Sequence, residues 1–127
     1  MKEEVKLLFD NAFKSLEVSK YNIDGGYYNT SINRSYYACF YVAKALLIER
    51  GFITKTHSGT ISCFGRILVV NENFDSKIAK TLKELFEERE DADYTLKISF
   101  SKEDTLEFLN DAKIFVEECM KFSVKLR

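Results

Sequence analysis

Apolar residues recur at three- and four-residue steps along most of the chain, the signature of helices that each bury one stripe. Val5, Leu8, Phe9, Ala12, Leu16 and Ile23 mark a first helix from Lys2 to about Tyr21. Asn22-Ile23-Asp24-Gly25-Gly26 then supplies residues that tolerate the left-handed turn ending a helix. A second helix follows almost at once, Asn29 to Arg50, so the two lie antiparallel. Phe52 to Ser58 reads as a loop. Ser58 is placed to cap a short third helix through Val69 or Val70, with Ile61, Phe64, Ile67 and Leu68 inward. After a turn at Asn71-Glu72-Asn73-Phe74, Asp75 or Ser76 caps a fourth helix with Ile78, Leu82, Leu85 and Phe86 facing the core. A second loop spans Tyr94 to Ser99. Ser101, followed by Glu103 and Asp104, caps a fifth helix running to about Lys125, with Leu106, Leu109, Ala112, Phe115, Cys119 and Phe122 inward. No strand pattern or internal repeat interrupts this series. The expected fold is all-α: an antiparallel up-and-down bundle of four main helices plus one short helix, residues 1–127 forming a single domain.

The second helix has two unlike sides. At about 100° per residue, Ile32, Tyr36, Cys39, Phe40, Ala43, Leu46 and Leu47 gather as an ordinary core stripe. Asn33, Arg34, Tyr37, Tyr41 and Lys44 gather on another side. An amide, a guanidinium, two phenols and an ammonium on one arc suit a partner that carries phosphate and flat rings. The same residues also describe a solvated face with rim aromatics. On the fourth helix Arg89 falls three turns after Ile78 and so continues an apolar stripe. A charge there reaches out to water along its apolar stem or meets a partner. Asp93, four residues on, is in reach of it. Arg89, Asp93 and Tyr94 from one helix and Asn33, Arg34, Tyr37 and Lys44 from the other are expected to border one groove, either a ligand site or the place where two copies meet.

Composition narrows the chemistry. Net charge is −1, which argues against a broad nucleic-acid-binding surface and leaves room for a local basic site. The three cysteines, Cys39, Cys63 and Cys119, are scattered through apolar helical patterns and read as reduced core thiols of a cytoplasmic protein. One histidine and dispersed cysteines give no metal-ligand spacing, no glycine-rich phosphate loop is present, and no cofactor is called for. The longest apolar runs are too short to span a membrane, and the N-terminus begins an amphipathic helix. Glu87, Glu88, Glu90 and Asp91 splay around their helix as a solvated face. His57, between hydroxyl residues in Lys55-Thr56-His57-Ser58-Gly59, reads as a loop or cap residue or as a titratable group.

Three segments together resemble a known family: Asn33-Arg34-Ser35-Tyr36-Tyr37-Ala38-Cys39-Phe40 with Ala43-Lys44-Ala45-Leu46-Leu47, then Lys55-Thr56-His57-Ser58-Gly59, then Arg89-Glu90-Asp91-Ala92-Asp93-Tyr94. In this order they are similar to the small prokaryotic HEPN-domain proteins (higher eukaryotes and prokaryotes nucleotide-binding). The resemblance implies a helical bundle, a homodimer, a nucleotide or RNA ligand, and a minimal nucleotidyltransferase as partner in a toxin–antitoxin or substrate-binding arrangement. Many members are metal-independent ribonucleases whose motif is an arginine, a polar residue, a short spacer and a histidine. Arg89 and Glu90 match its start, and Tyr94 stands where the histidine is expected. A histidine titrating near 6.5 exchanges protons at pH 7, whereas a tyrosine near 10 is ionised about one part in a thousand. Cleavage is therefore expected to be weak unless Tyr94 is perturbed or His57 folds back beside Arg89; the resemblance also makes Tyr94 a hydroxyl that the partner could modify.

Overall fold

In a computed structural model, residues 2–94 and 99–124 are described. They form helices α1 (Lys2–Asp24), α2 (Tyr28–Glu49), α3 (His57–Phe64), α4 (Ser76–Tyr94) and α5 (Lys102–Phe122), with α3 continuing into π-helical turns over Gly65–Asn71. The expected all-α bundle is what is found. Most of the expected second loop lies outside the described residues, as does Lys125.

The boundaries follow local chemistry. Gly26 ends α1 at φ 82°, a conformation that costs glycine nothing, while the Tyr27 N–H returns to the Asn22 carbonyl at 2.7 Å. Asp75 caps α4 by accepting from the Lys77 and Ile78 N–H groups at 2.8 and 3.1 Å. Ser101 caps α5 by accepting from the Asp104 N–H at 3.0 Å. The third helix starts earlier than expected. Thr56, rather than Ser58, is the cap, its Oγ1 accepting from the Gly59 N–H at 2.9 Å. A Cβ on Gly59 would meet that oxygen at 2.8 Å, so only glycine leaves room for the bond. His57 is therefore the first residue of a helix and not part of a loop.

Helix α2 is the central rod, packed by α1, α4 and α5. The core gathers around it: Ile32, Tyr36, Cys39, Val42, Ala43, Leu46 and Leu47 meet Phe64, Leu68, Leu82, Leu85, Phe115, Val116 and Cys119. Of the expected core positions one is exposed, and Leu8, Leu16, Phe40, Ile61, Ile78, Phe86 and Phe122 are half-buried against the core. The exposed one is Leu106, which faces outward, and the preceding Thr105 is buried, its hydroxyl bonded to the Ser101 carbonyl at 2.7 Å. Small residues are buried on both of the paired helices α1 and α2, Ala12, Ser15 and Ser19 on one and Ser31, Ser35 and Ala38 on the other. The Ser19 hydroxyl lies 2.8 Å from that of Ser31 and 2.7 Å from that of Ser35, and it donates to the Ser31 carbonyl at 3.0 Å. At the far end of α2, Arg50 binds Glu72, the Leu46 carbonyl and the Phe122 carbonyl, fastening the π-helical turns and the end of α5 to the central rod.

Candidate functional site

Because three helices crowd α2, its surface is open along one strip alone. Between Ser31 and Ile48 the residues that keep partial exposure are Asn33, Arg34, Tyr37, Phe40, Tyr41 and Lys44. Their spacing of one, three, three, one and three residues traces one helical face. This is the polar-aromatic side expected from the sequence, with Phe40 added.

The tail of α4 closes onto this strip. Arg89 donates from Nη2 to the Tyr37 hydroxyl at 2.8 Å and from Nη1 to Glu90 Oε1 at 3.0 Å. Its Nε stands 3.6 Å from Asp93 Oδ2 and makes no hydrogen bond among the described residues. The guanidinium carbon lies 5.4 and 5.3 Å from the ring centres of Tyr36 and Tyr37, within cation–π range. Arg89 is only 7% exposed, so it is a buried strut and not a side chain stretching to water. Burial lowers its proton affinity, but the Tyr37 bond and the carboxylates of Glu90 and Asp93 outweigh that and leave its pKa raised. Asn33 donates to Asp93 Oδ2 at 3.0 Å and accepts at Oδ1 from Arg34 Nε and Nη2 at 3.0 and 2.8 Å. Asn29 donates to the Ala92 carbonyl at 2.9 Å, satisfying one of the orphan carbonyls at the end of α4. The two helices are thus sewn together by the residues expected to border a groove.

His57 arrives from α3. Its ring packs 4.5 Å from Phe40 and 5.8 Å from both Phe86 and Tyr37, and Nδ1 is 2.6 Å from the Tyr36 hydroxyl. Tyr36 is fully buried and its pKa is raised by that burial, so the phenol keeps its proton. Among the described residues the bond to His57 is the hydroxyl's sole hydrogen bond. Only if Tyr36 donates to Nδ1 is its buried O–H satisfied, which puts the neutral ring's proton on Nε2. Burial, then the nearby Arg89, with a smaller push from Lys44, lowers the His57 pKa, partly opposed by Glu90. His57 and Arg89 thus share the two rings of Tyr36 and Tyr37, although they come from different helices.

Of the residues singled out from the sequence, Asn33, Arg34, Tyr37, Asp93, Arg89 and His57 form one connected cluster. Lys44 extends it, with Nζ 5.8 Å from the Phe40 ring. Tyr94 stands apart: it is 71% exposed at the last residue of α4. Five residues after Arg89 it has turned through roughly 500°, or about 140° away from the strip. Tyr36, Phe40, Phe86 and Glu90 complete the cluster without having been assigned to it. Tyr36 carried a signal in the sequence, since a phenol in a core stripe needs a hydrogen-bond partner.

Comparison with known proteins bears on the family of the chain. The HEPN domain family model matches residues 5–122. A protein of Methanocaldococcus jannaschii named "Putative toxin" is 30% identical over 123 residues, 97% of this chain and 84% of its own. A UPF0332 protein of Archaeoglobus fulgidus is 32% identical over 119 residues, 91% of this chain and 92% of its own. Another UPF0332 protein, from Gloeobacter violaceus, is 38% identical over 82 residues, 65% of each chain. The helical bundle, the family model matched over residues 5–122 and similarity over almost the whole sequence lead to one assignment: the chain belongs to the HEPN domain family.

Proposed function

We propose that this protein is the toxin-side, substrate-binding member of a two-protein system, and that the open strip of α2 binds the phosphate and base of a nucleotide or RNA. The observation that carries the reading is the joining of the Arg89–Asp93 end of α4 to the strip through Tyr37 and Asn33. Two cations, Arg34 and Lys44, accompany Tyr37, Phe40 and Tyr41 there, with Arg89 and His57 packed against them from α4 and α3. A charge-assisted bond to phosphate contributes about 1.5–3 kcal/mol, and a stacked base about 1–3 kcal/mol. Family membership and the toxin name of the Methanocaldococcus relative support the toxin assignment. A nucleotidyltransferase is the partner this reading names. Two copies of the chain belong to it as well, because tyrosine and arginine are enriched at interface centres.

Titration of the purified protein with ATP and with a short single-stranded RNA tests the reading. Wild type should bind at least one, and Lys44→Glu should weaken it. Absence of binding to both at millimolar concentration would end the proposal in favour of a bare interaction bundle.

A second reading, a metal-independent endoribonuclease, is favoured by one observation: His57 shares the Tyr36 and Tyr37 rings with Arg89. Its Nε2–H is suited to donate a hydrogen bond to a phosphate oxygen. RNA incubated with wild type and with His57→Gln separates the readings. Cleavage by wild type alone makes the protein an enzyme; intact RNA in both leaves it a binding subunit.

A further inference from the structure

The two arginines of the cluster are not equivalent. Arg89 is neutralised in place: Glu90 and Asp93 flank it, Tyr37 takes one edge, and it is nearly inaccessible. Arg34 is held by Asn33 Oδ1, a neutral acceptor, through Nε and Nη2. The other end of that amide is anchored on Asp93, so Arg34 is fixed in direction. Its guanidinium also lies 5.2 Å from the Tyr37 ring centre. Among the described residues no carboxylate comes within ion-pair distance of Arg34. A half-buried, oriented and unneutralised guanidinium is the stronger seat for an anion.

Arg34 also opens onto a groove that the sequence did not mark. Asn11, Lys14, Ser15 and Val18 from α1 face Arg34 and Tyr41 from α2 across a space of about 250 Å³. The α1 residues fall at steps of three, one and three, one face of that helix. The lining holds two cations and no acid, and Lys14, like Arg34, has no ion pair among the described residues. Tyr41 forms one wall, and its ring centre is 5.7 Å from that of Tyr37, so the aromatic surface of the strip runs on into the groove. Whole small-molecule sites span about 300–1,000 Å³. This space is smaller and suits a single phosphate–sugar–base unit.

We infer that the α1–α2 groove is the phosphate seat of the ligand, with Arg34 and Lys14 as its cationic contacts and Tyr41 as the platform for the adjoining base. The inference rests on reading the strip as a nucleotide-binding surface, and it moves the anion from Arg89 to the opposite flank of α2. Arg89 then serves as a positioning residue, holding Tyr37 and, through Asp93 and Asn33, the direction of Arg34. A free mononucleotide and one unit of a single-stranded RNA offer the same chemistry to the groove.

Fluorescence and chemical-shift titrations with AMP, with inorganic pyrophosphate and with a short oligoribonucleotide decide the matter. Lys14→Glu and Arg34→Gln should each weaken all three by about tenfold or more. Tyr41→Leu should weaken AMP and RNA while leaving pyrophosphate unchanged. Lys113→Glu, an exposed charge on α5 outside the groove's lining, should alter affinity by less than about twofold. Because Lys14 is exposed, its variant should melt like wild type and report on binding alone. With RNA, Lys14→Ala should also flatten the logarithmic salt dependence by about 0.7. Tight RNA with weak AMP would identify the strand as ligand; the reverse would identify the free nucleotide. Wild-type binding that survives both Lys14→Glu and Arg34→Gln would overturn the groove and leave the strip reading standing. Failure of wild type to bind any of the three would remove both.

Discussion

Arg89 and Tyr37 should behave as one energetic unit, and a double-mutant cycle measures it. Arg89 is 7% exposed and makes a 2.8 Å bond to the Tyr37 hydroxyl while lying over two rings. A hydrogen bond involving a charge contributes about 1.5–3 kcal/mol, and cation–π contact at a desolvated site adds roughly 0.5–2 kcal/mol. Arg89→Ala also leaves a void among Tyr36, Tyr37 and the end of α4. The summed cost is about 3–5 kcal/mol. For a chain of this length, with Tm shifting about 4 °C per kcal/mol, that is a fall of roughly 12–20 °C. Tyr37→Phe removes one hydroxyl and keeps the ring, so its cost is about 1–2 kcal/mol. Since both changes break the same bond, the double variant Arg89→Ala/Tyr37→Phe should be less destabilised than the sum by about 1–2 kcal/mol. Thermal and urea unfolding of the four proteins gives the coupling directly. A value under about 0.5 kcal/mol, or an Arg89→Ala protein melting within 2 °C of wild type (about 0.5 kcal/mol), would show that Arg89 is a loosely held surface side chain and that the cluster is mis-described.

Three further outcomes are expected. Because the His57 pKa is lowered on folding, the unfolded chain binds the proton first as pH falls. His57 then contributes stability above its unfolded value near 6.5, which is lost on descending toward its lower folded value; Tm should drop between pH 7.5 and 5.5 more in wild type than in His57→Gln, and parallel curves would contradict it. Ser19→Ala should cost about 1–2 kcal/mol, because the Ser31 and Ser35 hydroxyls lose their shared partner; an unchanged urea midpoint would mean that they re-pair within α2. Thr56→Ala removes the cap of α3 and should cost about 1 kcal/mol while moving the His57 titration, followed by NMR, back toward 6.5; a fixed titration would show that Tyr36 and the surrounding rings hold His57 unaided.

The helices were legible because periodicity and capping are local signals. Val5, Ala12, Leu82, Phe115 and their fellows repeat at helical steps, and Asp75 and Ser101 stand where caps are needed. The polar-aromatic face of α2 was legible for the same reason. Thr56 was missed because Thr56 and Ser58 are both competent caps, and the choice depends on the room that Gly59 leaves for the Thr56 hydroxyl. Leu106 misled because side-chain type alone does not reveal that Thr105 can satisfy its hydroxyl on Ser101 and occupy the buried side. The burial of Arg89 could not be read from α4, since its partner Tyr37 is 52 residues away. The place of His57 against Tyr36 likewise depends on how α3 folds over α2, which no spacing within either segment encodes.

The serine contact between α1 and α2 bears on how this surface recognises anything. Ser19, Ser31 and Ser35 lock together the same two helices that wall the groove, with hydroxyl spacings of 2.7 and 2.8 Å. A hairpin riveted in that way is preorganised: on the proposed reading an incoming molecule would adapt to a rigid mould instead of prying it apart, and less conformational freedom would be lost when it docks. Selectivity would then be decided at the guest's end, by which strands or nucleotides already own a shape that fits.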